Sequence, residues 1–224
     1  MRDNLNSGSK MDTEAKTDIP ANEVSLDTAI LQEIGNIGAG HAATSLSEMV
    51  QQRIEIDVPT IRSMQTHLVP KFYSRHDKPT TAICMQLDGE LECDILLLFE
   101  KEEAKKIASI LSMATSPDNV SPEMETSAMQ ELANIMIGAF LSAISDFTGI
   151  KLIPNPPQLT VDRFDSIIDN FLIKQSMSSD IAIIFDTQFK QTGGAASGNL
   201  IIFPSRKLQE TLIEKANQLV AGGP

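Results

Sequence analysis

Glu33-Ile34-Gly35-Asn36-Ile37 returns as Glu131-Leu132-Ala133-Asn134-Ile135, 98 residues further on. The same offset carries Gly40 onto Gly138, Ser47 onto Ser145 and Pro59 onto Pro157. Later in the chain, Leu96-Leu97-Leu98-Phe99 resembles Leu200-Ile201-Ile202-Phe203 at an offset of 104. Similarity at a fixed period marks a duplicated unit. The growth in offset implies six extra residues in the second copy, placed near 191–198. Copying a unit to complete a sheet accounts for matching apolar positions. It does not account for polar residues that match best of all.

Working outward, each copy reads as a long helix, several strands, then a shorter helix. In the first copy the long helix is predicted over 27–50. Strands follow near 53–58, 61–69, 80–88 and 91–99, then a helix near 101–114. In the second copy the long helix covers 122–148. Strands follow near 150–154, 158–162, 180–188 and 199–203, then a helix near 205–219. Ser121 is a good N-cap, with Pro122 at the first helical position and Glu123 and Glu125 near the positive end of the dipole. Gly149 can end that helix, and Ser205 can cap the last one. The expected fold is α+β and internally duplicated, with pseudo-twofold symmetry. Two long helices pack on one side of a mixed or antiparallel sheet. One domain is expected over 25–222, as repeat one (26–118) and repeat two (121–220). Residues 1–24 are polar without an apolar period and read as a disordered tail. The final Ala-Gly-Gly-Pro is expected to fray.

Composition narrows the function. The formal net charge is −12, which argues against nucleic acid and against docking on anionic lipid. It allows a phosphorylated protein as partner if that partner neutralises its own phosphate. No run of about 18 apolar residues is present, so no membrane insertion is expected, and no signal peptide is visible. Two cysteines, Cys84 and Cys93, fit a reducing compartment, so the expected location is cytoplasmic.

On the second long helix Ser127, Glu131, Asn134, Gly138 and Ser145 fall within about 60° of one another at 100° per residue. Ala128, Met129, Leu132, Met136, Ala139, Phe140 and Ala143 take the opposite, core-facing side. Glu33, Asn36, Gly40 and Ser47 repeat the stripe on the first helix. Both stripes are expected to face solvent, far from any deep pocket. A glycine inside a helix costs about 1 kcal/mol relative to Ala. Its recurrence at Gly40 and Gly138 suggests close approach by another backbone, either a helix of this chain or a partner.

The chemistry open to such a stripe is narrow. No Ser/His or Cys/His pairing lies near it. Asn is a poor base but holds a water well, with an acceptor and two donors. Glu can grip a lysine. Hydrolysis of an acyl phosphate needs little beyond an aligned water and charge stabilisation.

At these residues the sequence resembles the CheC/CheX/FliY chemotaxis phosphatases. Glu33-Ile34-Gly35-Asn36-Ile37-Gly38-Ala39-Gly40, with Ala42-Ala43 following, is similar to the first family motif. Ser127-x3-Glu131-x2-Asn134, with Pro157 after 22 intervening residues, is similar to the second. The likeness covers nearly all of 26–222. It implies that Asn36 and Asn134 orient the water that attacks phosphorylated CheY, and that Glu33 and Glu131 contact the regulator's lysine. It makes Pro59 and Pro157 structural, shaping the strand beneath each helix. It leaves this chain without a cofactor of its own, because Mg2+ belongs to the regulator. Two copies and no flagellar switch domain favour CheC, whose relatives often pair with the receptor deamidase CheD. Site one departs from the pattern: Ala29 stands where Asp or Ser is usual, and Asp27 is two residues too early. If one site works better, it is Glu131/Asn134. The alternatives are a non-catalytic adaptor for CheY or CheD, or a flagellar switch component.

Other features carry less. His41 falls toward the core side of its helix and reads as a partly buried structural residue. His67 and His76 flank a turn, and no cluster has zinc spacing. Asp88-Gly89 reads as a two-residue hairpin turn that sets Cys84 opposite Cys93, where a strained disulfide is conceivable. Gly193–Gly198 reads as a hairpin tip, since no Gly-Lys-Ser/Thr follows it.

Overall fold

In the computed structural model the described residues are 28–73, 77–87, 91–175, 180–191 and 194–221. The tail expected over 1–24, Asp88-Gly89, His76 and the final Gly222-Gly223-Pro224 lie outside them. The helices are α1 (Thr28–Val50), α2 (Val69–Phe72), α3 (Lys101–Leu111), α4 (Pro122–Thr148), α5 (Phe164–Gln175) and α6 (Arg206–Ala221). The strands are β1 (Ile54–Gln65), β2 (Pro79–Leu87), β3 (Cys93–Glu100), β4 (Gln158–Arg163), β5 (Ile181–Gln191) and β6 (Gly194–Pro204). They form one sheet in the order β1-β5-β6-β3-β2-β4. Every neighbouring pair is antiparallel, which settles the choice between a mixed and an antiparallel sheet.

The order reads the same from either edge once the copies are exchanged. β1 answers β4, β5 answers β2, and β6 answers β3. Register and face then correct the six-residue insertion expected near 191–198. Ile83 pairs with Leu97 and Phe185 with Leu200, and all four face the same core. Ile83 therefore answers Phe185 at an offset of 102, and Leu97 answers Leu200 at an offset of 103. Most of the extra length enters before β5, where α5 stands in place of the short Thr66–Phe72 run.

Two cores sandwich the sheet. Above it, Leu31 and Leu46 of α1 and Met129, Leu132, Met136 and Phe140 of α4 pack on Ile83, Ile95, Leu97, Phe99, Ile183 and Phe185. Below it, Phe164, Ile167, Ile168 and Phe171 of α5, with Val69 and Tyr73, cover Leu96, Leu98, Ala182, Ile184, Ile201 and Phe203. Alternate residues of one strand thus feed different cores, so the central strands read as unbroken apolar runs. The expectation of helices on one side omitted α5. Its i, i+3, i+4, i+7 apolar spacing is written in the sequence but follows directly on a strand. Among the described residues α4 is long and apolar enough to cross a membrane, yet half of that window is buried in this fold.

Other expectations are corrected. The strands expected at 53–58 and 61–69 are one strand, β1, with a register shift between Asp57 and Thr60. Pro59 sits in that shift, on an edge strand, where a missing N–H is tolerated. Pro157 directly precedes β4, the other edge. The strand expected at 150–154 is absent save for a single bridge between Leu87 and Pro154, because Pro154, Pro156 and Pro157 remove ladder donors. Leu87, not Cys84, pairs with Cys93, and Cys84 pairs with Leu96. The connection is three residues longer than a two-residue turn, and no disulfide joins the two cysteines. Burial pushes the Cys93 thiol above its usual pKa. The segment read as a hairpin tip is the start of β6 from Gly194 onward.

Candidate functional site

The start of α4 is fixed by the residues read as its cap. Ser121 Oγ accepts the Met124 N–H at 3.3 Å. The Glu123 carboxyl titrates below its usual range, because its own N–H and then the Ser121 hydroxyl favour the charged form. At the other end Gly149 takes a left-handed φ of 74° and closes onto Ser145 O at 2.8 Å. Gln51 holds the matching place after α1, with φ 54°.

α1 and α4 lie side by side and antiparallel. A Cβ on Gly38 would meet the Phe140 ring at 2.8 Å and its Cα at 3.1 Å. Met49, near the end of α1, shares a groove with Met124, Ala128 and Glu131 near the start of α4. The Glu33/Asn36 and Glu131/Asn134 pairs therefore sit on opposite sides of the Gly38–Phe140 crossing.

All four residues are exposed, as is Ser127. Neither Glu33 nor Glu131 has an ion pair or side-chain hydrogen bond among the described residues, and neither does Asn134. Asn36 accepts one bond, from Gln32 Nε2 at 3.3 Å. Glu131 and Ser127 border a shallow, open groove of about 410 Å³ whose apolar wall is Met49, Leu111, Met124 and Ala128. A second open groove lies between Ala43, Thr44 and Ser47 of α1 and Ile54–Asp57 of β1.

The glycines divide by role. Gly35 and Gly38 are the ones that permit tight internal packing, against Ile61 and Phe185 and against Phe140. Among the described residues Gly40 and Gly138 have nothing within 4 Å of an added Cβ. Packing among those residues therefore does not explain why the motif glycines recur.

The serines of the stripe do something different. Ser47 Oγ accepts the Ile54 N–H at 2.9 Å and donates to the Ala43 carbonyl at 2.6 Å. Ser145 Oγ accepts the Leu152 N–H at 3.2 Å. Each hydroxyl ties the chain seven residues on back to the helix, and both bonds sit at the 98-residue offset. Ser47→Ala should cost about 1–2 kcal/mol, read from denaturant unfolding. His41 is exposed, not turned to the core, because the buried arc centres on Gly35, Gly38 and Ala42. The residues not singled out from sequence are Gln32 and Gln130. They match at the same offset, immediately before each glutamate, and both are half-buried.

A family model described as the CheC-like family matches residues 26–62 and 124–161, one segment in each copy. The "CheY-P phosphatase CheC" of Bacillus subtilis (strain 168) is 29% identical over 163 residues, covering 70% of this chain and 77% of that protein. The "Flagellar motor switch phosphatase FliY" of the same organism is 26% identical over 170 residues, covering 71% of this chain and 44% of that protein. The crystal structure of Thermotoga maritima FliY superposes with a TM-score of 0.70 at 23% identity, over 88% of this chain and 99% of that one. The shared α+β fold and a family match that falls once on each half of the duplication support the CheC/CheX/FliY family, on its CheC-like side, as the one this chain is similar to.

Proposed function

We propose that this protein is a cytoplasmic phosphatase that hydrolyses the aspartyl phosphate of a chemotaxis response regulator of the CheY type. The observation that carries the proposal is a Glu/Asn pair, exposed on a long helix and without an ion pair among the described residues, present twice. Relatives along most of the chain bear the name CheY-P phosphatase. An exposed, open site of this kind cannot enclose a substrate, so the partner supplies the cavity.

In this reading the regulator brings its phosphoaspartate, a lysine and Mg2+. Among the described residues no three His, Cys, Asp or Glu converge to hold a metal, and the proposal assigns the ion to the regulator. Asn36 or Asn134 enters the regulator's site and holds the attacking water in line with the P–O bond. Glu33 or Glu131 pairs with the lysine and fixes the docking angle. The enzyme's contribution is position rather than proton transfer. Ser127 completes the second stripe, while Ala29 leaves the first without its hydroxyl. CheD is a proposed second partner, by family likeness alone.

Gly40 and Gly138 fit the same picture as flat places where the regulator's backbone comes close. Gly138→Leu should hold or raise the melting temperature, since the site is open and leucine gains about 1 kcal/mol of helix propensity. It should also raise several-fold the regulator concentration that half-saturates hydrolysis. Thermal melts and a regulator titration check the two halves.

The direct test is the rate of phosphate loss from a radiolabelled phosphoregulator with and without the protein. Acceleration at catalytic concentrations supports the reading. Binding in a pull-down with an unchanged rate replaces it with a non-catalytic adaptor.

A further inference from the structure

We propose that Gln32 is a positioning residue that holds the Asn36 carboxamide in one of its two flips. The inference deepens the reading above and rests on it for its kinetic consequence alone. An exposed asparagine on a helix can rotate about its last bond, which exchanges its oxygen acceptor for its N–H donors. A water aligned by such a group would meet a donor in some encounters and an acceptor in others.

Gln32 removes that freedom at site one. It lies one turn before Asn36, on the i, i+4 row where side chains on a helix meet. Its Nε2 donates to Asn36 Oδ1 at 3.3 Å. Gln32 is half-buried while Asn36 is exposed, so the anchor is the less mobile partner. With its oxygen engaged by Gln32, the Asn36 carboxamide keeps its NH2 and one oxygen lone pair for a docked partner. A water then meets the same donor and acceptor in every encounter, which is the orientation that in-line attack needs.

Site two supplies an internal control. Gln130 precedes Glu131 at the matching place and is also half-buried, yet neither it nor Asn134 makes a side-chain hydrogen bond among the described residues. Gln32 therefore orients its asparagine before the regulator arrives, and Gln130 does not.

The test pairs a spectroscopic readout with a kinetic one, on the full chain. Side-chain 15N relaxation of Asn36 and Asn134 is measured in the wild type, Gln32→Leu and Gln130→Leu. The proposal expects Asn36 to be the more ordered in the wild type and to loosen in Gln32→Leu, with Asn134 unchanged in Gln130→Leu. Equal mobility of Asn36 with and without Gln32 overturns it, whatever the activity. In an Asn134→Ala background, where site one acts alone, Gln32→Leu should lower kcat about 3- to 10-fold with KM for the phosphoregulator unchanged. Gln32→Glu lacks the donor and should not rescue, whereas Gln32→Asn, with a shorter reach, should rescue in part. A raised KM at constant kcat makes Gln32 a docking contact and overturns positioning. If the wild type speeds no hydrolysis, the functional reading falls, and the relaxation data still decide whether Gln32 orders Asn36.

Discussion

The Asn36→Ala/Asn134→Ala double variant is expected to lose the acceleration of phosphoregulator decay by roughly 10²-fold or more, the usual scale for deleting a positioned hydrogen-bonding group. The two asparagines sit on opposite sides of the Gly38–Phe140 crossing, so neither can substitute for the other within one docked complex. Each single variant should retain one working site. Asn134→Ala should cost more than Asn36→Ala, because the second stripe keeps Ser127 and the first has Ala29. The variants should fold normally, since both side chains are exposed and neither feeds a core. Binding should survive through Glu33 and Glu131. A double variant that still speeds decay would remove water positioning from the mechanism. Equal single variants would remove the asymmetry but leave the chemistry.

Gly198→Ala should be the most destabilising of these changes, although it adds one methyl group. A Cβ at Gly198 would lie 2.2 Å from Phe99 Cε1, 2.6 Å from Cδ1 and 3.0 Å from the Leu98 carbonyl oxygen. Phe99 is fully buried and tilted against Phe189 at 5.7 Å, so its ring has no empty space to enter. The neighbouring Thr187 hydroxyl donates to Gly198 O at 3.0 Å from a buried position, which pins the backbone as well. Overpacking of this kind costs about 3 kcal/mol, or about 6–12 °C in Tm for a domain of this size. A thermal or denaturant melt reads it. Phe99→Leu should itself destabilise by loss of volume, but the Gly198→Ala/Phe99→Leu pair should lose less than the sum of the singles. Simple additivity would mean that the clash is relieved elsewhere. The proposed phosphatase activity per folded molecule should be unchanged, since Gly198 lies on the sheet and not on either stripe.

The sequence by itself determined the duplication, the two long helices, the caps of the second, and the stripe that a partner would meet. These rest on local rules: periodicity at 3.6 residues, Ser121 and Pro122 at a helix start, Gly149 at a helix end. Such signals are carried by neighbours in the chain and need no tertiary partner. Only the tertiary structure decided what each matching residue does. Ser47 and Ser145 lay on the same stripe as the Glu/Asn pairs. They proved to tie the following segment to the helix, since a hydroxyl's partner seven residues away is invisible to a helical wheel. Gly40 and Gly138 recur in the alignment of the copies, but Gly35 and Gly38 bear the internal packing, because which neighbour occupies the space beside a glycine depends on the crossing of α1 and α4. The register of β2 against β3, and with it the separation of Cys84 from Cys93, depended on a connection whose length local turn rules misjudged. Helix α5 was written plainly in the spacing of Phe164, Ile167, Ile168 and Phe171. Its need became evident only from the lower face of the sheet, where Leu96, Leu98, Ile184 and Ile201 require a cover that sequence position alone does not reveal.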